Sequence, residues 1–263
     1  MEAKMEMIRV KKQHGFNVQI IGGILASFGI IIYSALRPIP AIAQINQAIV
    51  QEIVKSDENA EENGVFINEE PAEVDAIALL KQKIGTQAAS TSLLFSNGAM
   101  GRLGPQSSVI VGQCIEVQQG LLLASGPANG CTATFEIGIE GTVYIMEVNA
   151  AGETEIKVLE GELKIKPITE ESETTEEVPQ EIAIKAGEKI VITPSGIFGQ
   201  VAELLQSDVE NILNGALFQG FQVPLLGTSA LQKSLENLYP DIDIPRLPGF
   251  GIPVTPPRPR LPF

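Results

Sequence analysis

Residues 76–196 predict an all-β domain, either solenoid-like or built of two sheets, on three observations. Short apolar–polar alternations recur along the stretch, as in TFEIGI, TVYIMEV and TEIKVLE, and period two is what a strand with one buried face requires. Glycine or Asn-Gly punctuates them about every ten residues, as tightly turned strands demand. Residues favouring extended backbone, such as Thr142, Val143 and Ile145, follow the turn glycines.

The elements around this domain follow in chain order. Lys4, Arg9, Lys11 and Lys12 precede an apolar run from Val18 to Leu36, and Arg37 and Pro38 end it. Ala41-Ile42-Ala43 then stands before Gln44. A basic start, an apolar middle and small residues at −3 and −1 form a secretory signal, with cleavage expected between Ala43 and Gln44. The competing reading is an uncleaved anchor, since the run approaches bilayer length. In either case the basic side stays cytoplasmic. The rest of the chain is then expected in the periplasm or outside the cell, or held at the inner membrane with its β domain in the periplasm.

Residues 44–75 read as a charged linker with a short amphipathic helix, carrying Ile45, Ile49, Ile53 and Val54 on one face. After Gly196 the apolar period changes to nearly four. It predicts helices from about Phe198 to Leu213 and from about Ser229 to Tyr239, within an appendage spanning 197–240. Both are one-sided, and they are expected to cap the open end of the β domain or to dock another protein. ALFQGFQVPLLG, with Phe218, Phe221, Leu225 and Leu226, forms an exposed apolar patch unless it packs on the sheet. Residues 241–263 are a Pro-rich tail containing Arg246, Arg258 and Arg260; its prolines favour extended conformers.

Composition narrows the chemistry. The formal charge is −14. Beyond residue 43 there remain 13 basic and 30 acidic residues, a field that repels nucleic acid. Aromatic content is 5% with no Trp, which disfavours surfaces that stack on sugars or bases. The single histidine, His14, lies in the export segment, so Ser-His and Cys-His nucleophile pairs and imidazole metal sites are excluded beyond it. No cofactor is expected. TEESETTEEVPQE, between Glu170 and Glu181, could bind divalent cations weakly, although it lacks the spacing of a calcium loop. Glu136, Glu140 and Glu147 offer carboxylates for a hydrolase, but solvent-facing glutamates alternating with core isoleucines explain them more simply. Cys114 and Cys131 are the only cysteines and lie 17 residues apart. In an oxidising compartment they are expected to form a disulfide, with two free buried thiols as the alternative.

Four motifs occur in order: Asn97-Gly98 followed by Arg102-Leu103-Gly104, then Gly141-Thr142, then Leu159-Glu160-Gly161-Glu162, then Ala186-Gly187-Glu188. Gly98, Gly141, Gly161 and Gly187 stand where strands reverse, and Glu160 and Glu162 flank one such turn. In order and spacing these motifs resemble the FecR-like domain, a family named after a regulator of ferric citrate uptake. The export segment and QCIEVQQGLLLASGPANGC are similar to the standalone secreted versions found in cyanobacteria. The resemblance implies an all-β periplasmic domain which, in well-known members, relays a receptor's state to a sigma factor. Such regulators carry a substantial cytoplasmic region before the membrane span, against about 17 residues here, and Glu140 replaces the basic residue often found before Gly-Thr.

The expected function is a non-enzymatic exported interaction module, whose partner is a protein or an envelope polymer. Its unsatisfied strand edges would allow binding by strand addition. A membrane-anchored signalling component and a structural envelope protein are the alternatives.

Overall fold

The computed structural model describes residues 44–56, 64–139, 141–168 and 181–244. The chain zigzags between two sheets, here called I and II. It opens with β1 (Gln47–Val54) in sheet I, then forms the hairpin β2 (Val65–Ile67) and β3 (Glu70–Ala72) in sheet II. β4 (Ile77–Leu79) returns to sheet I and β5 (Lys83–Thr86) to sheet II. The hairpin β6 (Ser90–Phe95) and β7 (Met100–Leu103) lies in sheet I, and β8 (Ser108–Ile110) in sheet II. The long β9 (Ile115–Gly126) begins in sheet II and ends in sheet I.

Next come β10 (Gly130–Cys131) and β11 (Phe135–Ile139) in sheet II, and the hairpin β12 (Thr142–Val148) and β13 (Thr154–Glu160) in sheet I. β14 (Glu162–Pro167) and β15 (Ile182–Lys185) extend sheet II, whereas β16 (Glu188–Ile192) and β17 (Ala202–Glu203) extend sheet I. Two helices follow, α1 (Gln206–Leu213) and α2 (Thr228–Leu238). Sheet I therefore runs β4-β1-β6-β7-β9-β12-β13-β16-β17, and sheet II runs β3-β2-β5-β8-β9-β10-β11-β14-β15. The all-β, two-sheet expectation is met.

The main core lies between the sheets. In sheet I one inward row crosses six strands: Thr91, Leu103, Leu122, Met146, Ile156 and Ile190. Sheet II answers with Ile84, Val109, Val117, Ile137 and Leu163, all buried. Tyr144, the second-largest fully buried side chain, donates its hydroxyl to the Ala128 carbonyl at 2.8 Å. Burial pushes its ionisation upward.

Cys114 and Cys131 form a disulfide, with their Cα atoms 5.8 Å apart. It ties the start of β9 to β10, which pair in parallel, with Cys131 opposite Glu116. Opening the bond with reductant, or by a Cys114→Ser/Cys131→Ser double substitution, is expected to lower stability by about 3 kcal/mol for a loop of this length. Urea unfolding with and without reductant measures this, and an unchanged midpoint refutes it.

Three expectations need correction. Gln47–Val54 forms a strand in place of the helix expected over 45–54, and the β domain begins there: Ile45, Ala48, Val50 and Val65 are buried in the main core. Ile45, Ile49 and Ile53 satisfy a helical period, but β-branched side chains fit a pleated surface better. The segment from Phe198 is not helical until Gln206. Phe198 bridges to Ile192, Ala202–Glu203 adds a strand to β16, and Val201 and Leu205 are exposed. The helices do not cap an end of the domain; they lie over the outer face of sheet I. Ala43, Glu140, the acidic stretch 169–180 and the tail 245–263 lie outside the described residues.

Candidate functional site

Sheet I is apolar on both faces through its middle. Leu123, Val143, Ile145 and Leu159 point outward and are nonetheless buried. The cover is the segment from Leu204 to Ile242, which packs Val209 and Leu213 of α1, Leu217, Phe218 and Leu225 of the connecting loop, and Leu231 and Leu235 of α2. The loop's apolar patch thus packs on the sheet. Polar contacts fix this wrap: Leu204 N–H donates to Gly187 O at 2.7 Å, and Ser234 Oγ donates to Leu159 O at 2.9 Å.

One outward row across sheet I organises the charged chemistry. It reads Glu52, Ser92, Arg102, Leu123, Ile145, Lys157 and Lys189. At its β1 end, Arg102 is 1% exposed and is the largest fully buried side chain. Its Nη1 donates to Leu217 O at 2.9 Å and its Nη2 to Val223 O at 2.7 Å, and the guanidinium lies 4.2 Å from the Phe221 ring centroid. Glu52 completes the grip by accepting the N–H groups of Gln222 and Val223 at 2.8 and 2.9 Å. Burial lowers the Arg102 pKa to about 10, against the opposing pull of Glu52. It therefore stays charged at neutral pH.

At the other end of the row the wrap stops short of the sheet and leaves a groove of about 290 Å3. Leu121 and Ile145 belong to its sheet side, and Asn211, Ile212 and Ala216 line the wrap side. Charged groups are paired along it. Lys157 Nζ bridges Glu147 at 3.0 Å and Glu155 at 2.7 Å, and Lys189 Nζ bridges Asp208 at 2.9 Å and Glu155 at 3.5 Å. Burial pulls the Lys157 pKa down, but the hydrogen bonds to Glu155 and Glu147 outweigh it and the net shift is upward. The hydrogen bond with Lys189 holds Asp208 below the ordinary aspartate range, and the same bond raises Lys189. This end of α1 is thus electrostatically tied to β16.

The motif residues expected from the sequence fall mainly at turns. Gly98, Gly141, Gly161 and Gly187 have φ of +85°, +68°, +83° and +84°. At Gly161 a Cβ would stand 2.7 Å from the Thr142 methyl group. Asn97 ties its turn to the Pro127 carbonyl and the Ala99 N–H. Gly104 accepts the Thr86 hydroxyl through its carbonyl and packs against Leu121. Thr142 is buried, Glu160 is half-buried with its pKa raised by burial, and Gln44 is exposed. Of these residues, Arg102 enters the grip on the wrap through its side chain and Gly187 through its carbonyl. Glu52, Lys157 and Lys189 were not singled out from the sequence. The available signal was the two-sided apolarity of GLLLAS and TVYIM, which marks a strand covered on both faces. Glu136 and Glu147 stand on the outer faces of different sheets, so they do not form a carboxylate pair.

Parts of the sheet edges that the sequence leaves as unsatisfied strands are occupied within the chain. Edge strand β3 carries Pro71. On β4, the Leu79 N–H donates to Gln82 Oε1 at 2.7 Å and the Leu79 carbonyl accepts the Gln82 N–H at 2.9 Å. On β15, the Lys185 N–H donates to Glu188 Oε2 at 2.8 Å. β17 is two residues long. Prolines, side-chain plugs and short edges are the devices that protect sheets from unwanted pairing.

The fold and its covered face define a two-sheet all-β domain with a helical wrap. Neither a protein-family model nor a curated protein matches this chain. Two crystal structures of a protein from Parabacteroides distasonis ATCC 8503, described as a "putative anti-sigma factor", are similar to it, each at 13% identity and a TM-score of 0.41. Each alignment covers 60% of this chain and 74% of the other. A likeness of that size carries no argument about function.

Proposed function

We propose that the chain is a non-enzymatic exported binding module with a FecR-like domain, and that it holds a protein partner in the groove between α1 and sheet I. The groove carries this reading, because it joins an apolar floor to fixed charges of both signs beside a rigid sheet. That combination suits a segment with one apolar anchor flanked by polar groups. The partly occupied strand edges favour this groove over strand addition as the binding mode. The basic start, apolar run and A-x-A site support export, and the motif order supports the FecR-like assignment. A membrane-anchored signalling role is the second reading, resting on the length of the apolar run from Val18 to Leu36.

Ala216 is exposed and lines the groove, so Ala216→Trp fills it from the wrap side. The expected result is that chain 44–263 captures a specific envelope protein, and that Ala216→Trp loses it while melting at the same temperature. Identical capture by both forms, or capture of nothing specific, refutes the proposal.

A further inference from the structure

The outer face of sheet II presents a second groove, independent of the one above. It measures about 540 Å3 and adjoins a smaller hollow of about 260 Å3 that shares Phe66, Lys83, Gly85 and Gln87. One cross-sheet row forms its floor: Phe66 on β2, Gly85 on β5, Ser108 on β8 and Gln119 on β9. Gln87 and Gln106 stand beside it. We infer that this groove binds a neutral, hydroxyl-rich ligand, an oligosaccharide chain.

Gly85 is the first argument. It sits mid-strand in unbroken register with both neighbours, its φ is not left-handed, and an added Cβ would meet nothing closer than Ser107 O at 3.9 Å. Neither backbone conformation nor packing calls for glycine here. A strand glycine without such a reason marks close approach of something that lies on the sheet. The second argument is the lining. The side chains of Gln87, Gln106, Gln119 and Ser108 make no hydrogen bond among the described residues. Each amide offers donors and an acceptor together, which matches hydroxyl and acetamido groups.

Charge excludes the rival ligands. The described residues carry 20 acidic and 10 basic side chains, so anions are repelled. Lys83 is the one ionisable side chain in the larger groove and Glu69 the one carboxylate lining the adjoining hollow, so a cation finds no cluster of carboxylates there. An added peptide strand finds no free main chain, because β5 and β8 are paired on both sides. Phe66 supplies the flat apolar face against which a sugar ring's C–H groups can rest. The ring folds back over Gly64, where a Cβ would stand 2.6 Å from it. Low overall aromatic content argued against a sugar surface; one half-buried ring beside a bare glycine is a local exception that an average conceals.

The test is calorimetric titration of chain 44–263 with chitotetraose, cellotetraose and maltotetraose at millimolar concentration. At least one should bind saturably. Gly85→Leu should weaken that binding by about tenfold or more without lowering the melting temperature, and Phe66→Ala should weaken it too. Ala216→Trp, on the other sheet, should leave it unchanged, so failure of this inference is distinguishable from failure of the proposed protein-binding groove. The inference is overturned if no tetrasaccharide binds, or if binding is indifferent to Gly85→Leu.

Discussion

Arg102→Met is expected to cost about 3–5 kcal/mol of stability, the sum expected when two buried carbonyls lose a charged donor. Methionine fills much of the volume but leaves the carbonyls of Leu217 and Val223 without their donor and Glu52 without its counter-charge. It also removes the cation from the Phe221 face. Burial already works against the guanidinium, so the net worth of the site is smaller than the cost of breaking it. Glu52→Gln should cost less, because the amide oxygen still accepts one of the two loop N–H groups. The double variant should fall short of the sum, since both side chains hold the same loop. Urea unfolding of the four forms measures the cycle. Native-state hydrogen exchange should show residues 217–226 opening first in Arg102→Met. A loss below about 1 kcal/mol would mean that apolar contacts alone hold the wrap.

Gly120→Ala is expected to cost about 3 kcal/mol or more, from left-handed strain and a backbone clash together. Gly120 has φ +82°, and a Cβ there would stand 2.6 Å from Ser107 Cα and 2.8 Å from Gln106 O. Those are main-chain atoms, so no rotamer change relieves the overlap. The residue lies where β9 passes from sheet II to sheet I, opposite Val148 on β12, and displacement there disturbs both sheets. The same substitution at Gly85 is the control: open space and ordinary backbone predict no loss, and a gain of up to about 1 kcal/mol. Thermal unfolding of both variants measures the contrast. Equal effects at the two positions would refute the reading of either glycine.

Strands were legible where a single face is buried, as in TFEIGI and TEIKVLE, because period two then shows directly in the sequence. β1 was not, because isoleucines four apart satisfy two periods at once and only pairing with β4 and β6 decides between them. The start of α1 was misplaced because exposed Val201 and Leu205 happen to continue a helical spacing. The candidate site was the least legible part. Glu52 and Gln222 lie 170 residues apart, and no local pattern announces that contact. Arg102 could be noticed from its motif, but its partners are main-chain atoms that carry no residue code.

That last property has a consequence for how the protein can change. Arg102 and Glu52 grip the 217–223 loop through four amide groups, and the guanidinium also lies against the Phe221 ring. The hydrogen-bonded part of the latch is therefore indifferent to the side chains at Gln222 and Val223. Substitutions at Gln222 and Val223 can alter the surface presented outward while the fastening stays in place, whereas Gln219 is committed to the Leu213 carbonyl, so the wrap can diversify two positions without renegotiating its attachment.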